Sequence, residues 1–88
     1  LTIEKGSTLT VDGDVTLEDS ISRLFNHGTL DVVNLHMKSV NHYNGYYHQT
    51  EADAVLNLTG NLTADEFNLC QITAGTIIFK GKEVKIGN

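Results

Sequence analysis

The 88-residue sequence contains no proline, no tryptophan and a single cysteine. Proline cannot donate a backbone hydrogen bond to a strand ladder, so its absence suits a chain whose backbone is paired almost throughout. One cysteine excludes an internal disulfide framework. Cys70 lies among apolar residues in FNLCQI, which is typical of a small buried thiol.

Basic residues and long apolar runs are also scarce. Six Lys and Arg against eleven Asp and Glu give a net charge of −5, which disfavours binding to nucleic acid. The apolar runs are two or three residues long, far below the ~20 residues of a membrane-spanning helix. With 40% hydrophobic residues, the composition predicts one folded domain over residues 1–88, without nucleic-acid binding or membrane insertion.

An apolar alternation with glycine at its centre occurs twice with the same offsets, in LTVDGDVTL and LNLTGNLTA. The matched positions are Leu9, Val11, Gly13, Val15 and Leu17 in one copy, and Leu56, Leu58, Gly60, Leu62 and Ala64 in the other. LDVVNLHM repeats the pattern with one residue fewer at its centre, and IIFKGKEVKI repeats it with one residue more. The copies begin at residues 9, 30, 56 and 77, so the repeat has a period of about 21 residues with one insertion.

Each copy reads as two short strands that meet at a corner, where Gly13, Gly60, Gly81 or Asn34 is expected to adopt a positive φ. A third apolar patch follows each of the first three copies, so three strands are expected per repeat. This pattern predicts an all-β fold, a parallel β-helix of about four coils. In it, Leu9, Leu30, Leu56 and Ile77 form one inward ladder, and Val11, Val32, Leu58 and Phe79 its neighbour. Leu1 and Ile3 are then the tail of a preceding coil.

An up-and-down antiparallel sheet or small sandwich is the alternative fold, because alternating runs with glycine turns also mark those architectures. Recurrence of the same glycine-centred unit at matching offsets favours the β-helix, since hairpins do not require it.

The segments GSTLTVDGDVTL, NHGTLDV, DAVLNLTGNLTA and ITAGTIIFKG resemble the repetitive regions of very large bacterial surface proteins, including adhesins of the filamentous-haemagglutinin type. The resemblance covers nearly the whole chain and implies a right-handed β-solenoid excised from a longer repetitive protein. It implies a secreted or cell-surface structural stalk or display segment in bacteria. The expected partners are neighbouring coils of the same protein. Separately from the resemblance, open coil faces are unpaired sheet edges, so end-to-end self-association of further copies is also expected.

The insertion SVNHYNGYYHQTEAD, residues 39–53, interrupts the repeat and contains all three tyrosines. An exposed surface of Tyr, His and Asn is of the kind that stacks on sugars or packs against a protein. Tyr43, Tyr46, Tyr47 and His48 are therefore the candidate ligand-binding residues of a self-contained module that recognises a host or surface glycan or protein. Alternatively, Tyr46 and Tyr47 form the third strand of the coil, one facing in and one out.

A metal site is the competing interpretation of the same region, because His36, His42 and His48 lie close in sequence with Glu51 or Asp53 as a further ligand. Zinc requires three or four converging ligands, and six-residue spacings in extended chain do not imply convergence. This spacing therefore favours the absence of a metal site, and no cofactor is predicted.

Catalysis and calcium binding are also disfavoured. The pair Asp12 and Asp14 lies at a corner whose counterpart in the last repeat carries Lys80 and Lys82, which argues against a column of calcium sites. Polysaccharide cleavage on a β-helix needs paired carboxylates, or a carboxylate with arginine, across a long groove. Arg23 is the only arginine and four coils are short, so the chain is predicted not to be an enzyme.

Overall fold

The computed structural model describes residues 1–18, 22–41 and 43–87. The strands are β1 (Thr2–Ile3), β2 (Thr8–Leu17), β3 (Arg23–Asn26), β4 (Thr29–Met37), β5 (Ser39–Val40), β6 (Tyr43–Asn44), β7 (Tyr46–Gln49), β8 (Val55–Leu58), β9 (Leu62–Ala64), β10 (Cys70–Ile72), β11 (Thr76–Phe79) and β12 (Val84–Ile86). A 3-10 turn spans Phe67–Leu69. None of the described residues belongs to a helix long and apolar enough to cross a membrane.

The strands form a parallel β-solenoid of about four coils, as the repeat predicts. The first and second strands of successive coils stack in one sheet, in which β2 and β4 each supply both strands of their coil. The third strands stack in a second sheet in the order β1, β3, β7, β10. We number the corners of a coil by the strand that precedes them, so the third corner leads from the third strand into the next coil.

The register confirms the predicted ladders. Leu30 pairs with Leu9 on one side and Leu56 on the other, and Leu56 pairs with Ile77. The ladder from Val11 to Phe79 follows the same order. Thr2–Ile3 pairs with Phe25–Asn26, so the N-terminal residues do form the tail of a preceding coil.

One continuous hydrophobic core runs along the solenoid axis. Strand alternation turns every second side chain inward, and in the first and second strands of the two middle coils these side chains are almost fully buried. The core consists of Ile3, Leu17, Leu24, Leu30, Val32, Leu35, Met37, Tyr47, Leu56, Leu58, Leu62, Ala64 and Leu69.

The positive φ predicted at the first corner is wrong. Among the described residues, only Gly6, Gly75 and Asn41 have a positive φ. At the first corner glycine instead permits close stacking of coils: a Cβ on Gly81 would lie 1.4 Å from the carbonyl oxygen of Gly60. A Cβ on Gly13, in the first coil, would meet nothing within 4 Å.

Two buried amides hold the third corner. Asn26 donates from Nδ2 to the carbonyl of Val55 at 2.9 Å and accepts from the backbone N–H of Gly28 at 3.1 Å. In the next coil, Gln49 donates from Nε2 to the carbonyls of Ala74 and Thr76 at 3.1 and 3.3 Å. Both amides are fully buried, and each ties the end of a third strand to the third corner of the following coil, at the entry to β8 or to β11.

The insertion at residues 39–53 is divided by β7. Before β7, β5 and β6 form a short antiparallel hairpin at the second corner, with Asn41 at φ 50°. After β7, residues 50–54 extend the third corner, which in the preceding coil contains only His27 and Gly28. The second coil thus absorbs the extra residues at two corners and keeps the strand register.

Candidate binding face

A row of aromatic and cationic side chains covers the outer surface of the third-strand sheet. In β3, Leu24 and Asn26 point inward, so Arg23 and Phe25 point outward. In β7, Tyr47 and Gln49 point inward, so Tyr46 and His48 point outward. We call Arg23, Phe25, Tyr46 and His48 the aromatic face.

Parallel register brings these four side chains together. Arg23 pairs with Tyr46, and Phe25 pairs with His48. The rings of Phe25 and His48 stack with centroids 4.6 Å apart and an interplanar angle of 8°. The Arg23 guanidinium lies 4.3 Å from the Tyr46 ring centroid, a cation–π distance. The rings therefore stack face to face along the sheet and present their edges outward, with one positive charge at the end of the row.

The hairpin beside this face is anchored by Asp65 from the following coil. Asp65 accepts a hydrogen bond from the backbone N–H of Ser39 at 3.0 Å and contacts Nε2 of His36 at 2.8 Å. Asn44 donates to the Tyr46 hydroxyl at 3.3 Å, which links the hairpin to the aromatic face. Tyr43 is 59% exposed on the hairpin, so it is available to a ligand.

Tyr47 does not belong to the binding surface predicted from the sequence, because it is fully buried. Its hydroxyl accepts a hydrogen bond from Asn26 at 2.9 Å and donates one to Gln49 at 2.6 Å. Burial raises the pKa of Tyr47 above the ordinary tyrosine value, and a weaker opposing effect comes from the Asn26 hydrogen bond. Tyr46 and Tyr47 therefore face out and in, as the alternative interpretation expects.

His48 lies in the aromatic face, where its surroundings favour the uncharged ring. Desolvation lowers its pKa below 6.5, the positive charge of Arg23 lowers it further, and Gln71 acts in the opposite direction. Its Nε2 is buried and has no hydrogen-bond partner among the described residues. A neutral, stacked imidazole suits contact with a flat apolar surface better than binding of a charged group.

The histidines of the metal hypothesis do not converge where they can be described. His36 contacts Asp65, whereas His48 stacks on Phe25; His42 lies outside the described residues. Glu51 and Asp53 line a cleft of about 320 Å³ at the third corner. Across the described residues, no group of three or more His, Cys, Asp or Glu side chains is placed to hold a metal ion.

Two further features are the cleft at the third corner and the free thiol of Cys70. Lys5 and Asp53 form an exposed ion pair at 3.2 Å on the wall of the cleft. Cys70 packs against the core, and burial raises the pKa of its thiol. A thiol with a raised pKa is a poor nucleophile at neutral pH.

Sequence reasoning missed Arg23 and Phe25 as members of a surface. By sequence alone, Phe25 is only one residue of the apolar patch that follows the first copy, and Arg23 is only the single arginine of the chain. The signal was the strand register: aligning RLFN with YYHQ places Arg23 beside Tyr46 and Phe25 beside His48. The adjacent arrangement thus follows from the repeat once the third strands are aligned.

Comparisons with protein-family models, with curated proteins and with solved structures find no match to this chain.

Proposed function

We propose that the chain is a structural stalk or display segment of a secreted or cell-surface bacterial protein of the adhesin type, without catalytic activity. The observation that carries this proposal is the matched register of the inward first-strand ladders across all four coils. Such a register keeps outward side chains at a fixed pitch along the axis. The localisation and the bacterial source rest on the sequence resemblance.

The proposed mechanism is mechanical. The second coil is hydrogen-bonded to both neighbours through its three strands, and the third coil is bonded to the fourth through two. The core is shared from coil to coil. Extension along the axis must therefore open the strand ladders and expose core side chains together.

Single-molecule stretching of the chain between its first and last coils tests the stalk. We expect cooperative unfolding of the folded chain, and a lower unfolding force in Leu35→Ala because Leu35 is fully buried in a middle coil. Thr16→Ala, at an exposed outward position, is the matched control and should behave as the unmodified chain. Peeling of single coils at the lowest measurable load would contradict a load-carrying stalk.

The proposed location needs a separate experiment. Antibodies raised against the chain should label intact cells of the source organism, or its culture medium. Labelling that appears only after permeabilisation would contradict a secreted or surface location while leaving the mechanical result standing.

A second candidate function is recognition of a glycan or protein partner by the aromatic face and the adjacent Tyr43. Two observations favour it: the ordered stack of Phe25, His48 and Tyr46, and the exposed Tyr43 ring beside it. An exposed aromatic ring beside polar ring edges suits contact with a sugar or with a partner side chain.

A glycan array probed with the isolated chain tests this candidate. Tyr46→Ala should weaken any genuine binding by about tenfold or more, because it removes the ring under Arg23. Phe67→Ala removes an aromatic ring that is 69% exposed but outside the aromatic face, and should leave binding unchanged. Equal losses in both variants, or no glycan bound at all, would contradict glycan recognition by this surface.

A further inference from the structure

Both ends of the solenoid present inward-facing apolar side chains that no further coil covers within the described residues. At the C-terminal end, Ile77, Phe79, Val84 and Ile86 are 39–52% exposed. At the N-terminal end, Leu9, Val11 and Val15 are only partly buried. Their ladder partners in the middle coils are almost fully buried, so stacking another coil would remove apolar surface from water at each end.

Each end also presents a free strand edge. Among the described strands, β11 pairs with β8 alone, β12 with β9 alone, and β2 with β4 alone. Unpaired N–H and C=O groups along such an edge are a template for another strand. Because every pairing along the solenoid is parallel, a further coil added in the same sense preserves the existing geometry.

The strands at the two ends are complementary. The last coil contains β11 and β12, its first and second strands, whereas β1 occupies the third-strand position of the coil before β2. When the N-terminal end of one chain is placed on the C-terminal end of another, β1 continues the third-strand sheet at β10. Together, β11, β12 and the incoming β1 supply the three strands of one coil.

The two ends carry opposite charge. Residues 8–18 contain Asp12, Asp14 and Glu18 and no basic residue. Residues 76–87 contain three lysines, which are half of the basic residues of the chain, and one acid, Glu83. The outward positions of the first coil therefore complement those of the last coil, whereas each end repels its own kind.

We propose that a second copy of this chain stacks head to tail on the C-terminal coil and continues the solenoid in register. Leu9 of the second copy lies on Ile77, and Val11 of the second copy lies on Phe79, as in the internal ladders. Asp12 of the second copy then lies opposite Lys80. This inference concerns assembly of the isolated 88-residue chain. Its failure would leave the proposed stalk standing, because in a longer repetitive protein neighbouring coils would cover the same two faces.

Charge reversal at the two ends tests the proposal by sedimentation velocity over a range of concentrations. The first variant, Lys80→Glu with Lys82→Glu, makes both ends acidic. The second, Asp12→Lys with Glu18→Lys, makes both ends basic and retains Asp14, which accepts a hydrogen bond from Asn34 at 2.7 Å. Circular dichroism confirms that each variant retains its β-structure.

We expect the unmodified chain to form linear oligomers whose association weakens as salt is added. Each variant alone should associate at least about tenfold more weakly. An equimolar mixture should recover association, because every joint in an alternating oligomer then unites one acidic end with one basic end. A monomeric unmodified chain, association that strengthens with salt, or a mixture no stronger than its folded components would overturn the proposal.

A matched pair of variants on β11 separates end stacking from nonspecific apolar contact. Ile77 and Ile78 are both 43% exposed, but Ile77 lies in the inward ladder and Ile78 on the outer surface. Ile77→Lys should abolish association by placing a charge between stacked coils, whereas Ile78→Lys should leave it within about twofold. Equal loss in both folded variants would contradict the proposed geometry.

Discussion

The first and third corners of this solenoid turn the chain by different means. At the first corner, exposed side chains form a column in which Asn34 donates to Asp14 and accepts from the backbone N–H of Asn61. At the third corner, the fully buried side chains of Asn26 and Gln49 make the corresponding bonds from inside the core. Both arrangements use amides to connect successive coils.

The difference in burial sets the energetic importance of each corner. Water can replace a lost hydrogen bond at the exposed first corner, whereas a buried donor or acceptor that loses its partner has no such replacement. The hydroxyl of Tyr47 joins the two buried amides into one network. We therefore expect the inside of the third corner to contribute more to stability than the outside of the first.

The largest expected effect is that of Asn26→Ala. The substitution removes three hydrogen bonds and leaves the Gly28 N–H and the Val55 carbonyl without this partner. We expect it to lower the free energy of unfolding by about 3 kcal/mol, measured by urea denaturation. A loss no larger than that caused by Asn34→Ala would contradict the ranking of the two corners.

Gly60→Ala should have the next largest effect, since it tests close coil stacking at the first corner. A Cβ at this position would lie 2.3 Å from Oδ1 of Asn34 and 2.6 Å from the carbonyl oxygen of Val33. We expect a loss of about 2 kcal/mol in the free energy of unfolding.

Gly13→Ala is the matched control for Gly60→Ala, because its Cβ would meet no atom within 4 Å and its φ is not positive. It should be neutral or slightly stabilising, since alanine restricts the unfolded chain. Similar losses in both variants would show that glycine serves a conformational role at this corner rather than a packing role.

Asn34→Ala should cost about 1 kcal/mol in the same urea experiment. The substitution removes the bonds to Asp14 and to the Asn61 N–H, both at an exposed site. Asn34→Asp, the matched control, retains an acceptor for Asn61 but places a carboxylate beside Asp14. It should therefore be less stable at low than at high salt, and an unchanged salt dependence would contradict direct contact in the column.

The sequence predicted the first-strand ladders because their apolar residues recur with period two at matching offsets. Every pairing from Leu9 to Ile77 follows from that alignment. The same method could not find the buried amides, since Asn26 and Gln49 are polar residues at inward positions and interrupt an apolar pattern. The same alternation predicts a positive φ at Gly60 and Gly81 rather than close packing, because contacts between coils are not encoded in local sequence.

The candidate binding face was predicted only in part, for a related reason. Tyr46 and His48 stood out because the tyrosines cluster in one segment, but half of the aromatic face comes from β3, more than twenty residues earlier. The clustering of tyrosines places Tyr47 among the candidate ligand-binding residues, whereas strand alternation turns its side chain into the core. A local cluster thus identified the region, and the register between third strands determined which side chains share its surface.

The smallest expected effect concerns the second corner and appears as a pH dependence. Hydrogen bonds from His36 and from the backbone N–H of Ser39 lower the pKa of Asp65 below 3.8, and burial opposes them weakly. Because the folded pKa lies below that of the unfolded chain, the stabilisation is complete above pH 3.8 and is lost as the pH falls through the folded value. Urea midpoints at about pH 5 and about pH 3 should therefore differ less in Asp65→Asn than in the unmodified chain.

His36→Phe removes the larger contribution to the lowered pKa of Asp65 but retains the Ser39 hydrogen bond, so the pH dependence of its stability should be intermediate. Identical slopes in the unmodified chain and Asp65→Asn would mean that the hairpin is not anchored through this carboxylate.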